Sequence, residues 1–418
     1  MDIAAFSNLL TPSGQAVLAE AAGADLSENG LITTASRLRE HHHADLVAAA
    51  LTQVRLRERA RAKFGEDAAR MYFTPAGLEQ STRASVAAYR ARRFATSVSS
   101  ASTLELGCGI GGDLIARARA GLRGVGVELD PLTAAVARAN VAAFGLGELA
   151  SVREGDATRE DPGGYGTVFA DPGRRTARGR VFDPRSYEPP LDTVLELAGQ
   201  VGGACVKVAP GIPHEAVPAG AEAEWISVGG EVKEAALWLG DLAGDVRRRA
   251  TLMTEEKLIT EGDRASVETL TPDPGLGDPA VREWGRYLYE PDGAVIRAHL
   301  VAEVAARVNG GLADPLIAYV TSDDLVPTPF AAAYEIEDVL GFSLKRLKAE
   351  LRRREVGVLT IKKRGSAVDV DRLRRDLGFA RRAPRGAKEM TLVLTRVAAA
   401  PIALLTRPVS HRALNQSQ

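Results

Sequence analysis

Residues 104–113 read LELGCGIGGD, a short apolar run that breaks into glycines at 107, 109, 111 and 112. Glycine tolerates positive φ and lets a ligand approach the backbone, and the helix after such a turn presents unpaired N–H groups. Alone, the pattern opens several kinds of nucleotide-binding fold. The residues downstream narrow the choice. Glu128 closes the next apolar run, RGVGVEL, where a carboxylate can accept hydrogen bonds from two ribose hydroxyls. GDA at 155–157 follows the third run, where Asp156 can hold an adenine amino group, and Asp171 closes the fourth in FADPGRR.

From Thr103 onward, short apolar strands alternate with helices: TLELG, DLIARARA, RGVGVEL, PLTAAVARANVAAF, ASVREG, GTVFAD, LDTVLELAG and GACVKVA. That alternation marks a mostly parallel sheet covered by helices, an α/β architecture. EWISVGGEVKEAALWLG reads as two strands meeting at Gly229 and Gly230, an antiparallel closure of the sheet. Before Thr103, QAVLAEAA, ADLVAAALTQVRLRERARAKF and LEQSTRASVAAYRARRFA carry apolar positions at helical spacing,. The stretch 251–285 is acidic and broken by Pro and Gly, and is read as strands or linker. AVIRAHLVAEVAARV then reads as a helix, and DDLVPTPF as a loop. After it follow helix SLKRLKAELRRR, strand VGVLTIKK, a turn at Arg364 and Gly365, helix VDRLRRDL, and the strands EMTLVLTR and APIALLTR. The expected boundaries are 1–99 for an N-terminal helical domain, 100–250 for the central α/β domain, 251–335 for a connecting segment and 336–410 for a small basic module.

With 418 residues, 45% of them apolar, the chain can bury a large core,. Cys108 and Cys205 stand far apart in apolar contexts, which argues against a disulfide framework. The first thirty residues lack a basic start and an apolar core, and no uncharged apolar run of membrane-spanning length follows, so a cytoplasmic location is expected and no membrane partner. The net charge of -1 conceals an asymmetry. Residues 341–418 carry 19 Lys or Arg against 6 Asp or Glu. A basic module on an acidic body suits nucleic acid phosphates, and equally suits docking on that body.

LELGCGIGG, VELDPLTAAVARAN, GDA and ADPGRR, in this order, resemble class I S-adenosylmethionine-dependent methyltransferases, with the helical preface closest to RNA methyltransferases of the trimethylguanosine synthase type. The similarity covers about residues 72–240. VKVAPGIPHE, WISVGGEVKEAALWLG and the basic C-terminal module resemble bacterial methyltransferase-like proteins that end in a THUMP-like domain. The resemblance implies a Rossmann-like methyltransferase domain between an N-terminal helical domain and a small mixed α/β THUMP-like module. It also implies S-adenosylmethionine as cofactor, with Glu105, Gly107, Gly109 and Gly111 lining its methionine and the loop, Glu128 on the ribose, and Asp156 and Ala157 at the adenine. THUMP domains are associated with structured RNA, so the implied partner is RNA.

A buried Glu105 needs a positive partner, and the cofactor's ammonium is the expected one. Asp130 is expected to cap the helix that starts with Pro131 rather than to bind ligand. Methyl transfer needs a nucleophile aligned opposite the leaving thioether, and geometry supplies much of the gain. In amino-methylating relatives a fourth-strand Asp or Asn is followed by Pro-Pro and an aromatic residue. Asp171 and Pro172 match this pattern, whereas Gly173 and Arg174 do not. Asp171, Pro172 and Arg174 are therefore the candidate acceptor-side residues. Arg174 and Arg175 can stack on a base or pair with phosphate. RTARGRVFDPRSYEPP continues with Arg178, Arg180, Arg185 and Tyr187, either the mouth of an RNA groove or a lid. Residues 174–187 are thus a second candidate RNA contact. Neither cysteine suits the covalent route to pyrimidine C5. Lys207, near the end of VKVAP, is expected to reach solvent.

His41, His42 and His43 lack the spacing and companions of a metal site, and no metal is expected. Within the basic module, Lys345, Arg346, Lys348, Arg352, Arg353, Arg354, Lys362, Lys363, Arg364, Arg381, Arg382 and Arg385 form the expected phosphate-contacting set. Only Phe342 and Phe379 are aromatic there, which favours recognition of folded RNA by shape over stacking on single strands,. The expected activity is methylation of a nucleobase nitrogen of structured RNA. The alternatives are methylation of a protein or small molecule, and RNA binding without turnover.

Overall fold

A computed structural model describes residues 1–97, 102–174, 183, 186–254, 266–379 and 386–409. Two compact units result, one built mainly from Met1–Ala223 and Ala235–Arg247, the other from Glu224–Glu234, the strand Arg248–Met253 and most of the chain beyond residue 264.

In the first unit six helices precede the first strand: α1 (Ile3–Leu9), α2 (Pro12–Ala21), α3 (Glu28–Arg39), α4 (Ala44–Phe64), α5 (Pro75–Gln80) and α6 (Ala84–Ser97). The hydroxyls of Thr11 and Thr74 cap α2 and α5, and each helix opens on proline, which sacrifices no hydrogen bond there,. LEQSTRASVAAYRARRFA is not one helix as expected. It breaks after Gln80, where Ser81 turns extended at ψ 142° and its hydroxyl bonds back to the Leu78 carbonyl at 2.9 Å. Hydroxyl side chains offer the backbone this alternative to continuing a helix. Val47, Ala50, Leu56, Ala60 and Phe64 of α4 join Phe6, Leu9, Val17 and Phe73 in one core, which extends to Ile110 of the glycine loop and to Val136.

The expected strands follow as β1 (Thr103–Leu106), β2 (Gly124–Glu128), β3 (Ala150–Glu154), β4 (Thr167–Ala170), β7 (Gly203–Val208), β8 (Glu222–Val228) and β9 (Glu231–Gly240), and a short pair that was not expected, β5 (Gly173–Arg174) and β6 (Tyr187–Glu188), lies between β4 and β7. Helices α7 (Gly112–Arg119), α8 (Pro131–Ala143) and α9 (Leu191–Ala198) connect them. Within this unit the strand order is β3-β2-β1-β4-β7-β9. In that order all pairings are parallel except β7 with β9, where Lys207 lies opposite Ala236; the separate pair β5–β6 is antiparallel. The order reverses between β1 and β4, the switch point at which open α/β sheets bind ligands beyond the carboxyl ends of their strands. β8 and β9 meet at Gly229 and Gly230, whose φ angles of 59° and 82° explain the glycines,.

In the second unit β10 (Arg248–Met253) pairs antiparallel with β11 (Val267–Leu270). A separate seven-stranded sheet contains β12 (Tyr287–Pro291), β13 (Gly311–Leu312), β14 (Val320–Ser322), β15 (Ala331–Gly341), β16 (Val356–Lys363), β17 (Lys388–Val397) and β18 (Ala400–Pro408), in the order β13-β14-β12-β15-β18-β17-β16. The span 251–335, read from sequence as a connecting segment, therefore supplies strands to both sheets. Strands were one of the two readings expected for 251–285; beyond it the apolar runs are short and lie between Pro and Gly, which hid the strands of 287–322. The expected helix over AVIRAHLVAEVAARV splits into α10 (Gly293–Arg297) and α11 (Val301–Arg307), with His299 between them at φ 54°.

The helices α12 (Leu344–Arg353) and α13 (Val370–Leu377) cover one face of the seven-stranded sheet. Leu347, Leu351, Leu373 and Leu377 pack there with Leu392, Leu394 and Leu405, while Val393 and Leu404 join Leu288 and Tyr319 in a different cluster. Alternate strand residues point to opposite faces, so the apolar composition of EMTLVLTR serves two cores at once. Among the described residues no helix is long and apolar enough to cross a membrane.

Candidate active site

The glycine loop hangs from the neighbouring strand: Gly107 N–H and Cys108 N–H both donate to the Val127 carbonyl, at 3.0 and 2.9 Å. Gly107, Gly109 and Gly111 have φ of 76°, 55° and 84°, and a Cβ at 107 or 109 would meet nothing within 4 Å. The loop is open along that edge and ready for a ligand to lie against its backbone. Glu128 spans it, accepting from Gly109 N at 2.9 Å with one oxygen and from Asp130 N at 3.0 Å with the other. Each carboxylate oxygen keeps a further lone pair for a hydroxyl donor. Asp130 caps α8 through Thr133, as expected.

Asp156 follows β3, accepts from Thr158 N–H and Oγ1, and is held by those bonds below the usual carboxylate range. Ala157 beside it is buried. Because β1 to β4 run parallel, the loop, Glu128, Asp156 and Asp171 all come to one edge of the sheet. This open glycine cradle and ring of carboxylates fit a cofactor that carries a polar amino-acid end, a ribose and an adenine.

Behind the loop lies a network of buried charge. Glu105 pairs with Arg117, and Arg90 pairs with Asp113 at 2.6 Å. Both guanidiniums lie against the Phe169 ring, with Arg117 at 4.6 Å and Arg90 at 5.3 Å from its centroid. The two carboxyls are driven in opposite directions. Burial outweighs Arg117, and the like charges of Asp113 and Asp171 add to it, so Glu105 is pushed up to about 8,. Burial acts on Asp113 too, but Arg90, Lys207 and Arg117 outweigh it and hold this carboxyl below its ordinary value,. Glu105 is buried as expected, but its partner in the protein itself is Arg117. Sequence reading passed over Arg90, Asp113 and Arg117, although the pattern contains them. Arg90 falls on the buried stripe Val86, Ala87, Arg90, Ala91, Phe94, and Asp113 and Arg117 fall on the stripe of α7.

Directly after β4, Asp171 is half-buried and Pro172 beside it is buried. Lys207 does not reach solvent as expected. Its ammonium lies 2.6 Å from Asp171 Oδ2 and 3.1 Å from Thr82 Oγ1, because β7 neighbours β4 and carries Lys207 to the Asp171 edge. The Arg174 backbone pairs with Tyr187, and the Arg174 side chain lies outside the described residues. Tyr187 is not an exposed stacking platform. It is buried, and its hydroxyl accepts from Ala209 N at 2.9 Å. Arg175, Arg178, Arg180 and Arg185 lie outside the described residues.

The basic module sorts its cations. Arg354 is committed to Glu337 and Asp338, Arg353 to Glu350, and Lys362 to Glu290, with Arg364 4.0 Å from the same glutamate. Lys348 and Lys363 donate to backbone carbonyls. Lys345, Arg346 and Arg352 are exposed on α12 without an ion pair among the described residues, as are Arg375 on α13 and Lys388, which sequence reading left out. Arg381, Arg382 and Arg385 lie outside the described residues. Among the described residues no group of three or more metal-ligating side chains occurs, and His42 sits 3.6 Å from Glu20.

This fold and site define a class I methyltransferase with a C-terminal THUMP-like domain. A profile of the THUMP domain-like family matches residues 331–408, and one of a family described as a domain of unknown function matches residues 2–60. An uncharacterized S-adenosylmethionine-dependent methyltransferase of Mycobacterium tuberculosis, present in strains H37Rv and CDC 1551, is 36% identical over 365 residues, covering 84% of this chain and 93% of the relative. The crystal structure of a candidate methyltransferase from Porphyromonas gingivalis W83 superposes with a TM-score of 0.71 at 22% identity, over 95% of this chain and 99% of that one. The chain belongs to this family of S-adenosylmethionine-dependent methyltransferases, and S-adenosylmethionine is its cofactor.

Proposed function

We propose that this methyltransferase acts on structured RNA, at a nucleobase nitrogen, with Asp171 as the acceptor-side residue. The observation that carries the RNA reading is the cationic face of α12 and α13. Lys345, Arg346, Arg352 and Arg375 stay exposed and, among the described residues, without an ion pair, while neighbouring cations are neutralised within the fold. Unpaired cations on adjacent helices attract a phosphate backbone without selecting sequence. The THUMP-like match over residues 331–408 supports the same partner.

In this reading Gly107, Gly109 and Gly111 take the methionine end of the cofactor with Glu105 behind them, Glu128 takes the ribose, and Asp156 with Ala157 takes the adenine. Bound there, S-adenosylmethionine supplies a methyl group activated on a sulfonium. Lys207 occupies Asp171 Oδ2, and Oδ1 has no hydrogen-bond partner among the described residues. Oδ1 can therefore accept a hydrogen bond from an N–H of the acceptor and hold its lone pair toward the methyl. Pro172, buried behind it, keeps the backbone of this turn from relaxing,.

The test is transfer of tritiated methyl from S-adenosylmethionine into RNA of cells lacking this protein, with Asp171→Ala as the acceptor-side variant. Label in RNase-sensitive material that falls about 100-fold or more with Asp171→Ala supports the reading. Label confined to protein or small molecules overturns it.

A further inference from the structure

The N-terminal helices would ordinarily be taken as a cover for the sheet, yet two of their polar side chains, Lys63 and Thr82, lead through Lys207 to Asp171. The Lys63 ammonium, at the end of α4, donates to the carbonyls of Leu78, Glu79 and Ser81 at 2.8, 2.7 and 2.8 Å. Those carbonyls form the end of α5 and the turn into α6, where the helix is interrupted. A cation is well placed on carbonyls that a helix terminus leaves unsatisfied. The turn so fixed presents Thr82, which is buried, and whose hydroxyl accepts from Arg90 Nη2 and from Lys207 Nζ, each at 3.1 Å. Lys207 in turn reaches Asp171 at 2.6 Å.

The interrupted helix is thus explained by what it delivers. A continuous helix would bond the Ser81–Arg83 backbone within itself and would not give Lys63 three carbonyls to gather. Two further features separate the arrangement from a surface ion pair. The Lys207 and Asp171 side chains retain 15% and 26% exposure, so the carboxylate stays reachable while its partner is mostly enclosed. Burial, with the positive charges of Lys207 and Arg83, also holds the Lys63 ammonium below the usual lysine range, so Lys63 lies in the same electrostatic neighbourhood as the acceptor edge.

We propose that the N-terminal helical region is part of the reaction site: through Lys63 and Thr82 it holds Lys207, a positioning residue whose ammonium fixes the Asp171 carboxylate facing the acceptor. This rests on Asp171 being the acceptor-side residue. In the transfer, the acceptor nitrogen forms a bond to the methyl carbon as the carbon–sulfur bond breaks, and the proton leaves the nitrogen along the hydrogen bond to Asp171 Oδ1 or to solvent. Lys207 takes no part in that exchange. It keeps Oδ2 engaged so that Oδ1 alone is presented, which restricts rotation of the carboxylate.

The experiment uses the full chain, tritiated S-adenosylmethionine and a lysate of cells lacking the protein, fractionated into RNA, protein and small molecules. Five proteins are compared: the native chain, Lys207→Met, Thr82→Val, Asp171→Ala and the double variant Lys207→Met with Asp171→Ala. Affinity for S-adenosylhomocysteine by calorimetry and the thermal midpoint are measured alongside. The expected result is a fall in kcat of about 10- to 100-fold for Lys207→Met and a smaller fall for Thr82→Val. S-adenosylhomocysteine affinity should stay within about twofold for both. Lys207→Met combined with Asp171→Ala should lose no more than Asp171→Ala alone, since residues acting as a unit are non-additive. Lys207→Met and Thr82→Val proteins with native kcat overturn the proposal while leaving the role of Asp171 intact. Native kcat in Asp171→Ala sinks the acceptor-side reading, and with it this inference. Equal loss of midpoint, cofactor affinity and kcat in Lys207→Met and Thr82→Val marks a merely structural role, and label in no fraction overturns both ideas.

Discussion

The charges around the methyltransferase sheet and the charges of the THUMP-like module obey opposite rules. Around the sheet, Glu105, Arg117, Arg90 and Asp113 are all buried, and each has a named partner. On the module, Lys345, Arg346, Arg352 and Arg375 are exposed and have none among the described residues. Buried pairs act at one distance and fail when one member is lost. Exposed cations act together, over a Debye length, and are individually dispensable. The contrast teaches where a single substitution should be decisive and where only a set of them should matter.

The largest effect expected from breaking the buried side is on folding. Arg90→Met removes the pair of Asp113 and a donor to Thr82, and should destabilise the first unit by about 3–5 kcal/mol in denaturant titration. A change near zero would mean that Asp113 finds another partner or a proton at no cost. Next is the cofactor loop. Gly109 holds φ 55° against open space, so Gly109→Arg both strains the turn and fills the cradle,. Binding of S-adenosylmethionine should weaken by at least about 100-fold, read by calorimetry, without loss of fold.

A third expectation concerns pH. Glu105, at about 8, lies above the ordinary carboxyl value of 4.5, so the folded protein binds more protons than the unfolded chain between those values,. Stability of the cofactor-free protein should therefore fall as pH rises from about 4.5 to about 8. With Glu105 facing the cofactor's ammonium, as proposed, cofactor affinity should move the other way, because that ammonium favours an ionised Glu105. It should tighten by up to about tenfold per pH unit toward 8 and flatten above. Glu105→Gln should erase both slopes. A slope that survives the substitution would assign the titration elsewhere.

The smallest effects belong to the exposed side. Arg346→Glu or Arg375→Glu alone should weaken RNA binding only a few-fold, whereas reversing both should lower the slope of log affinity against log salt by about two. An unchanged slope would remove the α12–α13 face from the RNA contact.

How much of this was legible beforehand follows the distance along the chain over which each feature is decided. The glycine loop, the alternation of strands and helices after Thr103, the Asp130 cap and the antiparallel return at Gly229 and Gly230 are local patterns, and the structure reproduces them. The split of LEQSTRASVAAYRARRFA was only half legible. Ser81 and Thr82 hinted at it, but the Lys63 ammonium that gathers the turn comes from another helix. The strands of 287–322 were missed because each is short and its partners lie far along the chain: β12 pairs with β14 and β15, and β13 with β14.

The sequence by itself determined the fold class, the glycine loop at the end of its first strand and the basic composition of the last module, since periodicity, glycine and charge are properties of neighbouring residues. Only the tertiary structure decided which charges meet. Lys207 turns to Asp171 across 36 residues and to Thr82 across 125, and Tyr187 is drawn inward to the Ala209 amide. Neither side chain's direction is encoded in its own strand. A half-buried ammonium or hydroxyl goes where the assembled sheet leaves it a partner, and that partner exists only once the chain has folded.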